Sequence, residues 1–172
     1  MAARLEFETW VPFPLERVFR FFADPNNLPR IMPAETGTRI DRLKLITPST
    51  APVAPDHDAT LAGVGTEIFT SFKLLPPLPF RATWIAVITE FEWEHHFADE
   101  QRRGPFRRWR HRHEFAAETR SGTPGTSVRD LIEYEAGFGA AGRIAERFFI
   151  SRQLQRTFAH RQEVLASLLQ QG

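Results

Sequence analysis

The chain has 172 residues, 42% of them hydrophobic and 25% charged, with a formal net charge of +1. That length favours one domain spanning 1–172. The balance of 22 basic against 21 acidic residues gives no broad positive field of the kind a nucleic-acid binder uses. With no cysteine there is no disulfide, no thiolate nucleophile and no cysteine-ligated zinc.

The aromatic content is lopsided, at 16 Phe, 4 Trp and 1 Tyr. Phe carries no polar atom, so this bias suits a large dry interior or an apolar pocket. The opening MAARLEFETW lacks the apolar stretch of a signal peptide. No run approaches the roughly 20 apolar residues of a membrane span. These features lead to the expectation of a cytoplasmic protein.

In chain order, RLEFETWV (Arg4 to Val11) alternates apolar and acidic residues and reads as a strand. LERVFRFFAD (Leu15 to Asp24) has apolar residues at helical spacing, with Pro14 before it and Pro25 stopping it. PNNLPRIMP predicts a second short helix or turn. TRIDRLKLI (Thr38 to Ile46) predicts a strand, and the Pro-, Ala- and Asp-rich stretch 47–63 an exposed loop. Strands follow at Gly65 to Leu75, Phe80 to Glu92, Glu92 to Gln101, Phe106 onward and Thr126 to Gly137. RRGP and TRSGTPG are the turns on either side of the fifth of these six strands. Arg143 to Gln170 predicts one long helix, its apolar stripe running Ile144, Phe148, Leu154, Phe158, Leu165 and Leu168. Its Arg and Gln residues read as a solvent face.

Strands joined by hairpin-length links make an antiparallel sheet. A curved sheet must bury its concave face, and only the last helix is long enough to cover it. The expected fold is α+β: a helix-grip arrangement of seven curved antiparallel strands around a long C-terminal helix, with two short helices after the first strand and a cavity between sheet and helix.

The segments FETWVPFPLERVFRFFADPNNLPRIMP, FADEQRRGPFRRWRHRHEF, GTSVRDLIEYEAGFGAAGRIAERFF and RQLQRTFAHRQEVL resemble the START/birch-pollen-allergen-like superfamily, also called SRPBCC or polyketide cyclase-like. Motif type, order and spacing all agree outside the 48–62 loop. The resemblance is to small bacterial ligand-binding domains of that group. It implies a cavity for lipids, hormones or polyketides, with catalysis in some members only. It also implies that Leu28, Ile31 and Met32 form part of a lid.

FRRWRHRHEF (Phe106 to Phe115) is the most informative stretch. Alternate strand residues face opposite sides. Arg108, Arg110, Arg112 and Glu114 share one face, and Trp109, His111, His113 and Phe115 the other. The apolar-bearing face should point inward, leaving the arginines as a solvated outer row beside Glu92 and Glu94. The same parity turns Phe97 inward, and a hairpin through RRGP places His95 opposite His113, Phe97 opposite His111 and Asp99 opposite Trp109. Across the next turn, His113 falls beside Asp130, His111 beside Ile132 and Trp109 beside Tyr134. His95, His113 and Asp130 are thus expected in one inward row, with His111 and Tyr134 a step away.

Three readings compete for this row. It is a satisfied internal network of buried polar groups. It is the set of polar anchors in an apolar ligand pocket. Or it is chemical machinery, with His113 as a base oriented by Asp130, or two histidines and one aspartate around a metal. The candidate ligand-binding residues are His95, Phe97, Trp109, His111, His113, Asp130, Tyr134, Phe72 and Phe148. His113 and Asp130 are catalytic only in an enzyme. The expected partner is a small hydrophobic molecule, with no cofactor, no metal and no nucleic acid. The alternatives are a cyclase- or dehydratase-like enzyme and a ligand-free regulatory domain.

Overall fold

The computed structural model describes residues 2–50, 60–73, 79–137 and 150–171. Strand β1 (Ala3–Val11) is followed by α1 (Leu15–Ala23) and α2 (Leu28–Ile31). Then come β2 (Arg39–Lys44), β3 (Glu67–Lys73), β4 (Arg81–Glu92), β5 (His96–Arg103), β6 (Phe106–Arg120) and β7 (Thr123–Ala136), and lastly α3 (Ser151–Gln171). The expected first turns of the long helix, with Ile144 and Phe148, lie outside the described residues, as does 51–59 of the expected loop.

The seven strands form one sheet in the order β1-β7-β6-β5-β4-β3-β2. Each hairpin link places a strand beside its predecessor, and β1 covers the far side of β7, with Phe7 opposite Asp130. Alternation along β6 buries Trp109, His111, His113 and Phe115 while the arginines between them keep solvent contact. This is the α+β helix-grip architecture expected from the pattern of elements: a curved antiparallel sheet gripping one long helix.

Two turns set the registers that matter most. Between β6 and β7 only Ser121 and Gly122 turn the chain, both at positive φ (50° and 79°). Positive φ at both central residues gives a tight two-residue hairpin whose twist matches its strands. It is shorter than the expected seven-residue turn, yet it leaves the pairing as expected: His113 opposite Asp130, His111 opposite Ile132, Trp109 opposite Tyr134. Between β4 and β5, Trp93, Glu94 and His95 form the turn, with Glu94 left-handed at φ 58°. Strand β5 therefore begins only at His96. Phe97 pairs with His113 and Asp99 with His111, two residues away from the expected register. A shift of two preserves which side chains face inward, so Phe97 and Asp99 keep their face.

Helices α1 and α3 close the concave side. Phe19 of α1, with no exposed surface, meets Phe91, Trp93, Phe97 and Phe115 edge-on, at centroid distances of 5.5, 5.1, 6.0 and 5.0 Å. From α3, Phe158 stacks on Phe7 at 4.5 Å, and Leu165 and Leu169 are buried in the main core. The Arg17 side chain donates to the Leu169 carbonyl, tying α1 to the far end of α3. Among the described residues no helix is long and apolar enough to cross a membrane.

Phe19 joins α1 to four aromatic rings of the sheet. Phe19→Ala is expected to destabilise the protein by about 3–5 kcal/mol, the range for emptying a buried aromatic site. Urea unfolding monitored by tryptophan fluorescence checks this, and a loss below about 1 kcal/mol would show that α1 is not anchored through this ring.

Candidate functional site

A cavity of about 480 Å³ lies between the concave sheet, α1, α2 and α3. Its wall is mostly apolar. Phe22 comes from α1; Leu28, Ile31 and Met32 from α2 and its cap; Phe72, Trp84, Phe97 and Trp109 from the sheet; Leu154 and Phe158 from α3. The three residues implied as a lid therefore do line the cavity. So do Phe72, Phe97, Trp109, His111 and His113 of the candidate set.

The other candidates sit elsewhere. Asp130 and Tyr134 are buried, at 6% and 1% exposure. Asp130 stands behind the two histidines, and Tyr134 packs in the core cluster of Trp109, Ile132 and Phe158. His95 is not in the row at all. It lies in the Trp93–His95 turn and is exposed, because three residues are needed to reverse the chain there. Phe148 lies outside the described residues.

The outer arginines pair as the parity argument predicts but with different partners. Glu90 accepts from Arg110 and Arg112, each at 2.5 Å. Glu114 accepts from Arg112 at 2.9 Å. Glu92 instead faces His96, and Glu94 is in the turn. Partly solvated pairs of this kind contribute little stability singly, but they hold the arginines outside.

At the polar end of the cavity, four side chains converge. His111 and His113 stand two apart on β6, so their rings share one face, with centroids 4.0 Å apart. His111 Nε2 lies 2.9 Å from Asp130 Oδ1 and His113 Nδ1 2.7 Å from the same oxygen. The His111 contact is a well-formed hydrogen bond; the His113 contact is close but poorly aligned for one. On the other side of His111, Nδ1 is 3.8 Å from Asp99 Oδ1. Phe97 and Phe22 pack on His113 at 4.5 and 5.4 Å between centroids.

Arg161 of α3 completes the cluster, and the sequence pattern had assigned it to solvent. It is half-buried and lines the cavity, its guanidinium 4.6 Å from the Phe158 ring centre and 5.8 Å from that of Phe22. Its Nε is buried without a hydrogen-bond partner among the described residues. A signal for it existed. Leu154, Phe158, Leu165 and Leu168 recur at spacings that leave one gap in the stripe, and Arg161 fills it.

Burial and charge then fix the protonation pattern. Burial, reinforced by His113, pushes His111 down to about 4 against the pull of Asp130 and Asp99. His113 is lowered by burial, with Asp130 opposing. Burial alone would raise Asp130, but Arg161, His113 and the hydrogen bond from His111 carry it well below the usual carboxylate range. Asp99 is raised by burial, against His111 and Arg161. The result is one carboxylate between two neutral imidazoles. An ionised Asp130 only accepts, so neutral His111 donates its Nε2–H to it and keeps Nδ1 as an acceptor, while His113 Nδ1 lies against the same oxygen without an aligned bond. Asp99, His111 and His113 also bring one ligand atom each within 4.8 Å of one another, a spacing that could hold a divalent ion. The charge of Arg161, which acts on Asp99 and His113, opposes a cation there.

The shift of His111 has a pH signature. The unfolded chain takes up this proton near 6.5 and the folded protein only at about 4. Between those values the unfolded state binds more protons, so stability falls as the pH drops, by on the order of 3 kcal/mol. Asp99, raised in the fold, binds its proton earlier than the unfolded chain and offsets part of the loss. Urea titrations between about pH 7 and pH 4 are expected to show this decline in the wild type and a flatter profile in His111→Asn. Equal slopes in the two would contradict a neutral, buried His111.

Comparison with known proteins agrees with this architecture. No curated protein matches the sequence. A START superfamily protein from Mycobacterium smegmatis superposes with a TM-score of 0.65 at 11% identity, covering 98% of this chain and 97% of that one. Norcoclaurine synthase of Thalictrum flavum, a point mutant in complex with a transition-state analogue, gives 0.62 at 15% identity, covering 99% and 96%. A ginseng (Panax ginseng) major latex-like protein gives 0.62 at 14% identity, covering 96% of each chain. At these identities the likeness is one of fold. The sequence profile of the polyketide cyclase / dehydrase and lipid transport family matches residues 11–163. The chain therefore belongs to that family, and its fold is that of the START superfamily protein and the major latex-like protein.

Proposed function

We propose that the protein binds a small hydrophobic or aromatic ligand in the cavity between the sheet and α3. The observation that carries this is the cavity itself. At about 480 Å³ it falls in the range of small-molecule sites, roughly 300–1,000 Å³, and it has their makeup: an apolar wall with a few convergent polar groups. Burying about 200 Å² of ligand surface contributes roughly 5 kcal/mol at about 25 cal/mol per Å². His111 and His113, held by Asp130, offer acceptor nitrogens that fix the orientation of the ligand's polar end.

A second reading, a cyclase- or dehydratase-like enzyme, is favoured by one observation. His113 is lowered toward its neutral form, oriented by a buried carboxylate and on the cavity wall, which is what a general base requires. In that reading His113 takes a proton from the bound substrate and Asp130 stabilises the resulting imidazolium. A ligand-free regulatory domain has less support, since it gives no reason to keep a cavity of this size.

Native mass spectrometry of the protein purified from its own host is expected to show a co-purifying small molecule. Ala86 lines the cavity from β4. Ala86→Phe is expected to abolish that extra mass while costing about 1–3 kcal/mol of stability from overpacking. A ligand retained undiminished in Ala86→Phe would place binding elsewhere. His113→Ala separates the two readings: turnover lost with the fold intact marks an enzyme, and weakened uptake without turnover in any variant marks a binding protein.

A further inference from the structure

Arg161 is a cation on the wall of an apolar cavity, and its nearest polar groups do not satisfy it. The Asp130 oxygen nearest the histidines is shared by both, and among the described residues no carboxylate lies within ion-pair distance of the guanidinium. Its aromatic neighbours, Phe158 and Phe22, present ring faces and no acceptors. A half-buried guanidinium whose Nε is buried without a partner is costly unless its other donors find acceptors. The guanidinium also carries donors on its terminal nitrogens, and charged donors of this kind take an anion such as a carboxylate.

We propose that Arg161 anchors an anionic group, so that the cavity's ligand is an acidic amphiphile: an apolar or aromatic body carrying one carboxylate or phenolate. This rests on the binding reading above and names the class of ligand. The neighbouring groups are compatible with an incoming anion. Asp130 is screened behind His111 and His113 and is absent from the cavity wall. Asp99, which does line the cavity, has its pKa raised by burial, so its charge is the one most readily given up to a proton as an anion approaches. His111 and His113 then face the ligand's next polar atom. Lys73 is another cation on the wall. It extends from the end of β3, away from the histidine cluster of β6, and serves as the control.

The test uses a matched pair of fluorescent probes, anilinonaphthalene sulfonate and N-phenylnaphthylamine, which share an aromatic body and differ in the anionic group. The wild type is expected to bind the sulfonate roughly tenfold or more tightly than the neutral probe, the advantage one charge-assisted contact confers. Arg161→Met, which keeps side-chain volume, is expected to erase that preference, bringing the ratio of the two affinities to about one. Arg161→Lys should retain part of it, and Lys73→Met should leave it intact. Thermal unfolding of each variant establishes that it is folded. Equal affinities for the two probes in the wild type would overturn the assignment, as would a preference that survives Arg161→Met or vanishes in Lys73→Met. Failure of both probes to bind would overturn the binding reading and this inference with it.

Discussion

A carboxylate at 6% exposure inside an aromatic interior cannot stay charged unless its surroundings compensate it, and Asp130 is such a group. The compensation comes from two elements far apart in the chain. Strand β6 supplies His111 and His113 against one oxygen; helix α3 supplies the charge of Arg161. Neither would work without the sheet register that sets His113 opposite Asp130 or without the helix lying across the concave face. The polar cluster therefore requires both halves of the fold to be in place. Breaking one partner leaves the others buried and uncompensated, which is the expensive way to lose a polar contact.

The same constraint separates the outside of the sheet from the inside. Four residues of β6 carry positive charge or can acquire it between Arg110 and His113, yet they do two different jobs. The arginines meet Glu90, Glu100 and Glu114 on the solvent face. The histidines, stripped of water, are shifted toward neutrality and become directional hydrogen-bonding groups. Burial converts a basic-looking segment into a polar end for an apolar cavity, while the wall from Phe22 to Phe158 supplies surface without preference for any one shape. The protein thus divides its labour between non-directional affinity and a small set of directional groups.

How much of this can be read from the sequence depends on what each residue has beside it. The β6–β7 register is legible because both strands alternate cleanly and a Gly-containing turn lies between them. The β5–β6 register is harder, since EFEWEHHFADE continues to alternate through the β4–β5 turn and so hides where β5 begins. Nothing in composition marks Trp93–His95 as the reversal, because Glu94 adopts the left-handed conformation without being Gly or Asn. Parity survives the two-residue shift, which is why Phe97 faces inward as expected while His95 does not join the row. Asp99 is legible as an inward acid but not as a neighbour of His111, for the same reason. Arg161 is hidden by a general rule that usually holds: charges on a helix face water. The rule fails where the stripe meets a cavity instead of a packed core, and a charge at a stripe position is the trace that such a cavity leaves.

Neutral His111 and His113 beside Asp130 would form the polar end of a ligand-binding cavity. Heteronuclear NMR of the histidine imidazoles, recorded with and without anilinonaphthalene sulfonate, tests it most directly. His111 is expected to keep neutral-imidazole shifts until the pH falls to about 4, and both His111 and His113 signals are expected to move when the probe enters while that of exposed His95 does not. His111 titrating at an ordinary value near 6.5, or probe uptake that leaves both signals unmoved, would contradict it.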